Sequence, residues 1–145
     1  MKTFTILKPD TLKAGNAGAI ISKIEKEGFR IRAMKMLHLT EAKAQGFYYV
    51  HKERPFFGSL VKFMTEGPVI MMVLEADNAI EKLRKVMGAT DPAKADAGTI
   101  RKQFGTNIER NAIHGSDGPE TAAFEIAYFF NQLEIVCAGD SGTDV

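Results

Sequence analysis

Cysteine is nearly missing from this 145-residue chain: Cys137 is the only one, so no disulfide can form within it. Long apolar runs are missing too. The longest, Val69 to Leu74, is far shorter than the roughly 20 residues a membrane-spanning helix needs. Neither sign of charge is in excess, since 19 Lys and Arg against 18 Asp and Glu leave a formal net charge of +1. That balance gives no electrostatic reason to expect nucleic acid or a membrane as partner, although a local basic cleft stays compatible with it. The start, "MKTFTILKPD", has neither the apolar stretch nor the small-residue cleavage site of a secretory signal, and the expected compartment is the reducing cytoplasm. Familiar phosphate motifs are also wanting: there is no Gly-x-x-x-x-Gly-Lys-Ser/Thr cradle, no Gly-x-Gly-x-x-Gly turn and no protein-kinase catalytic loop. The three histidines do not fall at zinc-site spacing with carboxylates or Cys137. Any phosphate chemistry must use another design.

What is present suits one domain over residues 1–145, long enough to bury a core without staples. Thr3 to Lys8 is β-branched and apolar, and Pro9 ends it, the pattern of a buried strand. Ala17, Ile20, Ile21 and Ile24 fall on one helical face, with Asn16 as a cap and Gly28 as a stop. "FRIRAMKML" alternates, setting Phe29, Ile31 and Ala33 on one face of a second strand. A mostly helical stretch from Glu41 to Met64 is broken at Arg54 and Pro55; "VIMMVL" follows as a central strand apolar on both faces. Ala79, Ile80, Leu83, Val86 and Met87 mark another helix. The pattern then fades into a long loop up to a short strand around Ile113, and loops of that length are usually functional or disordered. Pro119 opens a last helix with Ala122, Ala123, Ile126 and Phe130 inward, and the tail from Cys137 reads as frayed. Stripped of insertions the order is βαββαβ, a ferredoxin-like α+β fold: a four-stranded antiparallel sheet with helices on one face.

Phosphate-friendly side chains stand near strand ends and in the long loop: Lys8, Arg84, Thr90 and Arg101. Each alone reads first as a solvated group. Phe56 follows a proline break where it could meet a nucleotide base, or else packs in the core; Tyr48 offers a hydroxyl or another core ring. His114 in "NAIHGSDG" differs. Imidazole, with an ordinary pKa near ~6.5, keeps a lone pair near neutral pH and can attack phosphorus directly, provided the ring is oriented. Glu125 in the last helix can hold one ring nitrogen, Gly115 removes bulk where a phosphoryl group would approach, and Ser116 and Asp117 can bond locally or to that carboxylate.

These residues carry a resemblance. "NAIHGSDG" resembles the Asn-x-x-His-Gly-Ser-Asp-Gly/Ser/Ala signature of nucleoside diphosphate kinases, and "LKPDTLKAGNAGAIISKIEKEGF", "GFYYVHKERPFFGSLVKFMTEGPV", "GATDPAKADAGTIR" and "ETAAFEIAYFF" resemble that family's segments in the same order. The resemblance implies transfer of a γ-phosphate from a nucleoside triphosphate to a nucleoside diphosphate by a ping-pong route through a phosphohistidine. It implies His114 as nucleophile through Nδ1, Glu125 on Nε2, and Ser116 behind Glu125. Lys8 and Tyr48 are expected near the transferred group, Arg84, Thr90 and Arg101 on phosphate oxygens, and Lys8 and Asn111 at the ribose. Phe56 should stack one face of the base, with Ile108 on the other and Leu60 beside it. Mg2+ is expected to arrive on the nucleotide with no direct protein ligand, Asp117 acting at most through water. ATP, GTP and other tri- and diphosphates are the expected partners, and a homo-oligomer is expected, a tetramer rather than a hexamer, because the chain ends soon after Phe130. Gly118 stands where many members have serine, which is expected to loosen the start of the last helix. Ala97 stands where some have proline, which bears on loop rigidity. Neither a ligand sensor of the same fold nor a histidine phosphocarrier would need this whole set: the sensor has no use for His114 beside Glu125, and the carrier none for a base clamp.

Overall fold

A central strand with apolar side chains on both faces sets the architecture. In the computed structural model, which describes residues 1–136, β1 (Lys2–Leu7) lies between β3 (Val69–Glu75) and β4 (Ile113–Gly115), and β2 (Arg30–Leu37) pairs with the outer side of β3. The order is β2-β3-β1-β4, and every pairing is antiparallel. This is the expected ferredoxin-like sheet. The expected frayed tail and Cys137 lie outside the described residues. Among those residues no helix is long and apolar enough to cross a membrane.

Helices cover both faces of the sheet, where the sequence reading had put them on one. Phe4, Ile6, Met71 and Val73 point to one side, packing with α3 (Glu41–Phe47), α4 (Phe57–Met64) and α7 (Pro119–Phe129); Leu7, Ile70, Met72 and Leu74 point to the other, against α2 (Ala17–Lys26) and α5 (Ala79–Met87). The unbroken apolar run of β3 is the physical trace of this arrangement, since a strand covered on both sides has no wet face to alternate with.

Two local details depart from the sequence reading. A β-bulge interrupts the pairing of β2 with β3: Ile31 stands opposite Leu74 and Ala33 opposite Val73, so Arg32 is an extra residue. The extra residue breaks the two-residue period. Phe29 and Ile31 therefore join the α2/α5 cluster while Ala33 joins the other, instead of all three sharing a face. In α7 the buried positions are Ala122, Glu125 and Phe129, with Phe130 buried just beyond the helix, Ile126 half-buried and Ala123 exposed. A carboxylate occupies the inward face.

Gly28 ends α2 as expected. Its φ of +97° is accompanied by a hydrogen bond from its N–H to Glu25 and from the Phe29 N–H to Ile24, and Phe29 and Ile24 pack in the same cluster. That is a complete Schellman stop. Asn16 occupies the cap position of α2 but its side chain makes no capping bond. The long loop after α5 is built rather than loose: a short 3-10 turn (Pro92–Lys94) and α6 (Ile100–Phe104) fill it, capped by Asp91 and Thr99, and Ile100 is fully buried. Ile24, fully buried under the sheet and away from the cleft described below, tests the packing. Ile24→Ala should lower unfolding stability by about 2–5 kcal/mol in urea titration with the slope unchanged.

Candidate active site

β4 is a three-residue edge strand, and its alternation decides where its side chains go. Ile113 and Gly115 face the α2/α5 side, while His114, opposite Ile6 on β1, faces α7. Gly115 lines the cleft described below, and its missing side chain also serves packing on the α5 side. A Cβ on it would meet Met87 Sδ at 2.5 Å and Leu83 at 3.2 Å, so glycine lets β4 sit close against α5. The His114 ring lies among Phe4, Phe47 and Tyr48 at centroid distances of 6.3, 5.6 and 6.4 Å.

Ring orientation is fixed from one side. His114 Nε2 lies 3.0 Å from Glu125 Oε1, and the Ser116 hydroxyl donates to that same oxygen at 2.6 Å. An ionised carboxylate only accepts, so Nε2 carries the proton and donates, leaving the lone pair on Nδ1. Asp117 does not join this group; its carboxylate pairs with Arg84 at 2.8 Å and is 77% exposed.

A strained turn leads into the strand. Ala112 has φ of +76°, and the Ile113 N–H bonds the Asn111 carbonyl at 2.9 Å, the bond pattern of a γ-turn. A residue with a Cβ held this way costs about 1–3 kcal/mol. The surroundings hold it. Asp10 in α1 (Pro9–Lys13) accepts the Ala112 N–H at 3.0 Å, and the Ala112 carbonyl accepts from the Thr11 hydroxyl at 2.8 Å and the Lys8 N–H at 2.9 Å.

Cations converge on the same end. Lys8, at the end of β1, is buried, and Nζ donates to Asn111 Oδ1 at 2.8 Å; Asn111 in turn donates to the Thr90 carbonyl at 3.0 Å. Burial, then the Arg101 charge, lowers the Lys8 amine to about 8. Arg101 in α6 donates to the carbonyls of Ile113 at 2.8 Å and Gly88 at 3.2 Å, and its Nε is buried without a partner among the described residues. Burial, then neighbouring Arg84, brings Arg101 down to about 10, with Asp117 opposing. Like charges are crowded here beyond what the carboxylates offset, a setting that an anion would relieve.

All of this lines one cleft of about 490 Å³. Its walls bring together Lys8, Tyr48, Phe56, Leu60, Arg84, Thr90, Arg101, Ile108, Asn111, His114, Asp117 and Glu125; of the expected site residues only Ser116 stands behind the wall, bonded to Glu125. Phe56 and Ile108 are 46% and 62% exposed, unusual for apolar side chains lining a cleft. Phe47, His51 and Glu109 also line it, and Asp10 and Thr11 support it from below; none of these stood out in the sequence. Phe47 reads as one more core aromatic, and Asp10 as a surface charge in a first helical turn.

Two groups lend themselves to test. The Tyr48 hydroxyl is buried without a hydrogen-bond partner among the described residues, and burial, then the Glu125 carboxylate, pushes its pKa up. Removing an unsatisfied buried hydroxyl costs the fold nothing, so Tyr48→Phe should match or exceed the native stability by up to about 1 kcal/mol in thermal or urea unfolding. For Lys8, the folded-state pKa of about 8 lies below the ordinary 10.5. Between these values the unfolded chain binds more protons, so this group's contribution to stability rises with pH across that window; below it the buried ammonium is a standing cost. Urea unfolding at pH 7.5 and pH 9.5 should therefore show native protein gaining stability relative to Lys8→Met as pH rises.

Comparison with known proteins gives the family and the fold. The family model described as "Nucleoside diphosphate kinase" matches residues 1–135. The chain is 60% identical over 135 residues to the nucleoside diphosphate kinase of Trichlorobacter lovleyi, covering 93% of this chain and 98% of that protein, and 58% identical, with the same coverage, to that of Geobacter sulfurreducens. Among solved structures, the Aquifex aeolicus nucleoside diphosphate kinase superposes with a TM-score of 0.91 at 48% identity, covering 93% of this chain and 98% of that one. A halophilic nucleoside diphosphate kinase from Halobacterium salinarum, solved in complex with CDP, gives 0.91 at 39% identity, covering 94% and 91%.

Proposed function

The chain belongs to the nucleoside diphosphate kinase family, an enzyme family of nucleotide phosphotransfer, and from that premise we propose that it works in ping-pong fashion through a phosphohistidine at His114, balancing nucleoside and deoxynucleoside triphosphate pools. The observation that carries this reading is the Nε2 to Glu125 hydrogen bond, which leaves Nδ1 as the ring's nucleophile beside Lys8, Arg84 and Arg101.

In the first half reaction the Nδ1 lone pair attacks the γ-phosphorus of a bound triphosphate. The N–P bond forms as the bond from that phosphorus to the β,γ-bridging oxygen breaks, and the diphosphate leaves with the electron pair. Positive charge gathering on the ring is met by Glu125, itself held by Ser116. In the second half reaction a terminal oxygen of another diphosphate attacks the same phosphorus, and the pair returns to Nδ1. Phosphoryl transfer of this kind depends on positioning and charge compensation more than on covalent assistance. Lys8 and Tyr48 serve the transferred group, Arg84, Thr90 and Arg101 the phosphate oxygens, and Lys8 with Asn111 the ribose hydroxyls. The base stacks on Phe56, flanked by Leu60 and faced by Ile108, contacts that tolerate purine and pyrimidine alike.

Mg2+ enters as part of the nucleotide substrate. Two carboxylates of the cleft are already engaged, Asp117 with Arg84 and Glu125 with His114 and Ser116. Among the described residues no three His, Cys, Asp or Glu side chains gather to hold a metal ion. In this reading the ion is carried by phosphates and water, with Asp117 as an outer partner.

The test is a split transfer. Protein incubated with ATP labelled at the γ-phosphate and freed of nucleotide should retain acid-labile label, then pass it to GDP or CDP on mixing. His114→Ala should take no label and lose at least about 1000-fold in turnover while unfolding as the native protein does, as expected for loss of a covalent nucleophile. Label that reaches GDP through the alanine variant would exclude His114.

A further inference from the structure

Phe56, Leu60 and Ile108 offer a base only faces and flanks, so nothing in that set distinguishes one base from another. One charged side chain at the same end of the cleft could. Glu109 follows Ile108, and its Oε2 accepts a hydrogen bond from the Ser59 hydroxyl at 2.8 Å. Ser59 stands on α4 between Phe56 and Leu60, so this bond crosses from the wall bearing Ile108 to the wall bearing Phe56.

The carboxylate is held in place yet keeps acceptor capacity. Asn107 Oδ1 accepts from the N–H groups of Glu109 at 3.1 Å and Arg110 at 2.8 Å, fixing the backbone from below. Arg110, its neighbour, turns to Glu66 at 2.7 and 3.0 Å and lies over the Phe63 ring. Lys8 reaches the Glu109 carbonyl, at 3.5 Å, and not its carboxylate. Among the described residues no ion pair engages the Glu109 side chain. One oxygen is oriented by Ser59 and the other makes no protein hydrogen bond among them.

We propose that Glu109 reads the edge of the bound base and favours guanine. Guanine presents two adjacent donors, N1–H and the 2-amino group, which match the two oxygens of a carboxylate. Hypoxanthine keeps the N1–H and lacks the amino group. Uracil and thymine place carbonyl oxygens beside their single N–H, and those oxygens repel a carboxylate. Glu109 is thereby a specificity-determining residue and Ser59 its positioning partner. The inference rests on the nucleotide reading of the cleft.

GDP and IDP, which differ only by the 2-amino group, are the probes. With ATP as donor and the full chain as enzyme, kcat/KM should favour GDP over IDP by about fivefold in the native protein, the lower end for a paired contact at an accessible edge. The preference should fall to near unity in Glu109→Ala and in Glu109→Gln, which keeps the side-chain volume, and to an intermediate value in Ser59→Ala. The change should sit in KM. A native ratio near one, a ratio unchanged by both Glu109 variants, or equal losses for GDP and IDP would overturn the proposal; the last would leave Glu109 as a latch between α4 and the loop. Phe56→Ala separates this failure from failure of the nucleotide reading. It should weaken both diphosphates alike wherever Glu109 stands, and unchanged KM for both would remove the base slot itself.

Discussion

The hydrogen bond between His114 and Glu125 is the interaction on which the rest of the site depends. It is possible because α7 turns a carboxylate inward at a position where a helix on a sheet would ordinarily bury an apolar side chain. Left alone, a carboxylate there would be a costly buried charge. Ser116 and His114 both donate to it, so its burial is compensated, and the compensation selects one ring tautomer. Structural necessity and chemical readiness coincide in that oxygen atom. The edge strand completes the arrangement: among the described residues β4 has a neighbour on only one side, so the ring is fixed by β1 and α7 while the cleft stays open beyond it.

The surrounding polar groups follow from the same constraint. A ring at the centre of a three-residue strand needs the chain to turn sharply just before that strand, and Ala112 supplies the turn at positive φ. Asp10, Thr11 and the Lys8 backbone meet both polar atoms of Ala112, so strain next to the His114 strand is held by hydrogen bonds from the first helix. Lys8 and Arg101 are buried with lowered pKa values and carbonyl or amide partners rather than carboxylates. Such cations are preorganised for an anion from solution, because no internal anion must be displaced from them first.

Sequence patterns revealed the parts whose chemistry is unusual for their setting and concealed those whose setting alone is unusual. His114 among small polar residues, arginine in a glycine-bearing loop and an apolar strand without alternation each carried a readable signal. The ordered match of segments then joined them into one site. Ala112 gave none, since alanine says nothing of a positive φ. The bulge at Arg32 was hidden because strict alternation is the default reading of "FRIRAM", and it moved Ala33 to the opposite face from Ile31. Gly115 lines the cleft, yet its missing side chain faces α5, a packing role that strand parity shows and the neighbouring histidine obscures. Glu109 and Ser59, fifty positions apart, each read as an ordinary solvated residue until the fold set them 2.8 Å from each other.

Breadth and preference among bases can coexist in such a cleft because they arise from groups at different places. Stacking on an aromatic face contributes roughly 1–3 kcal/mol for any base, and the proposed phosphate contacts are the same for every nucleotide. An edge contact open to water adds on the order of 1 kcal/mol. The common terms therefore exceed the discriminating one several-fold. A carboxylate at the edge can bias the choice of substrate without closing the cleft to any of them, and removing it would leave the shared binding of phosphate, ribose and ring in place.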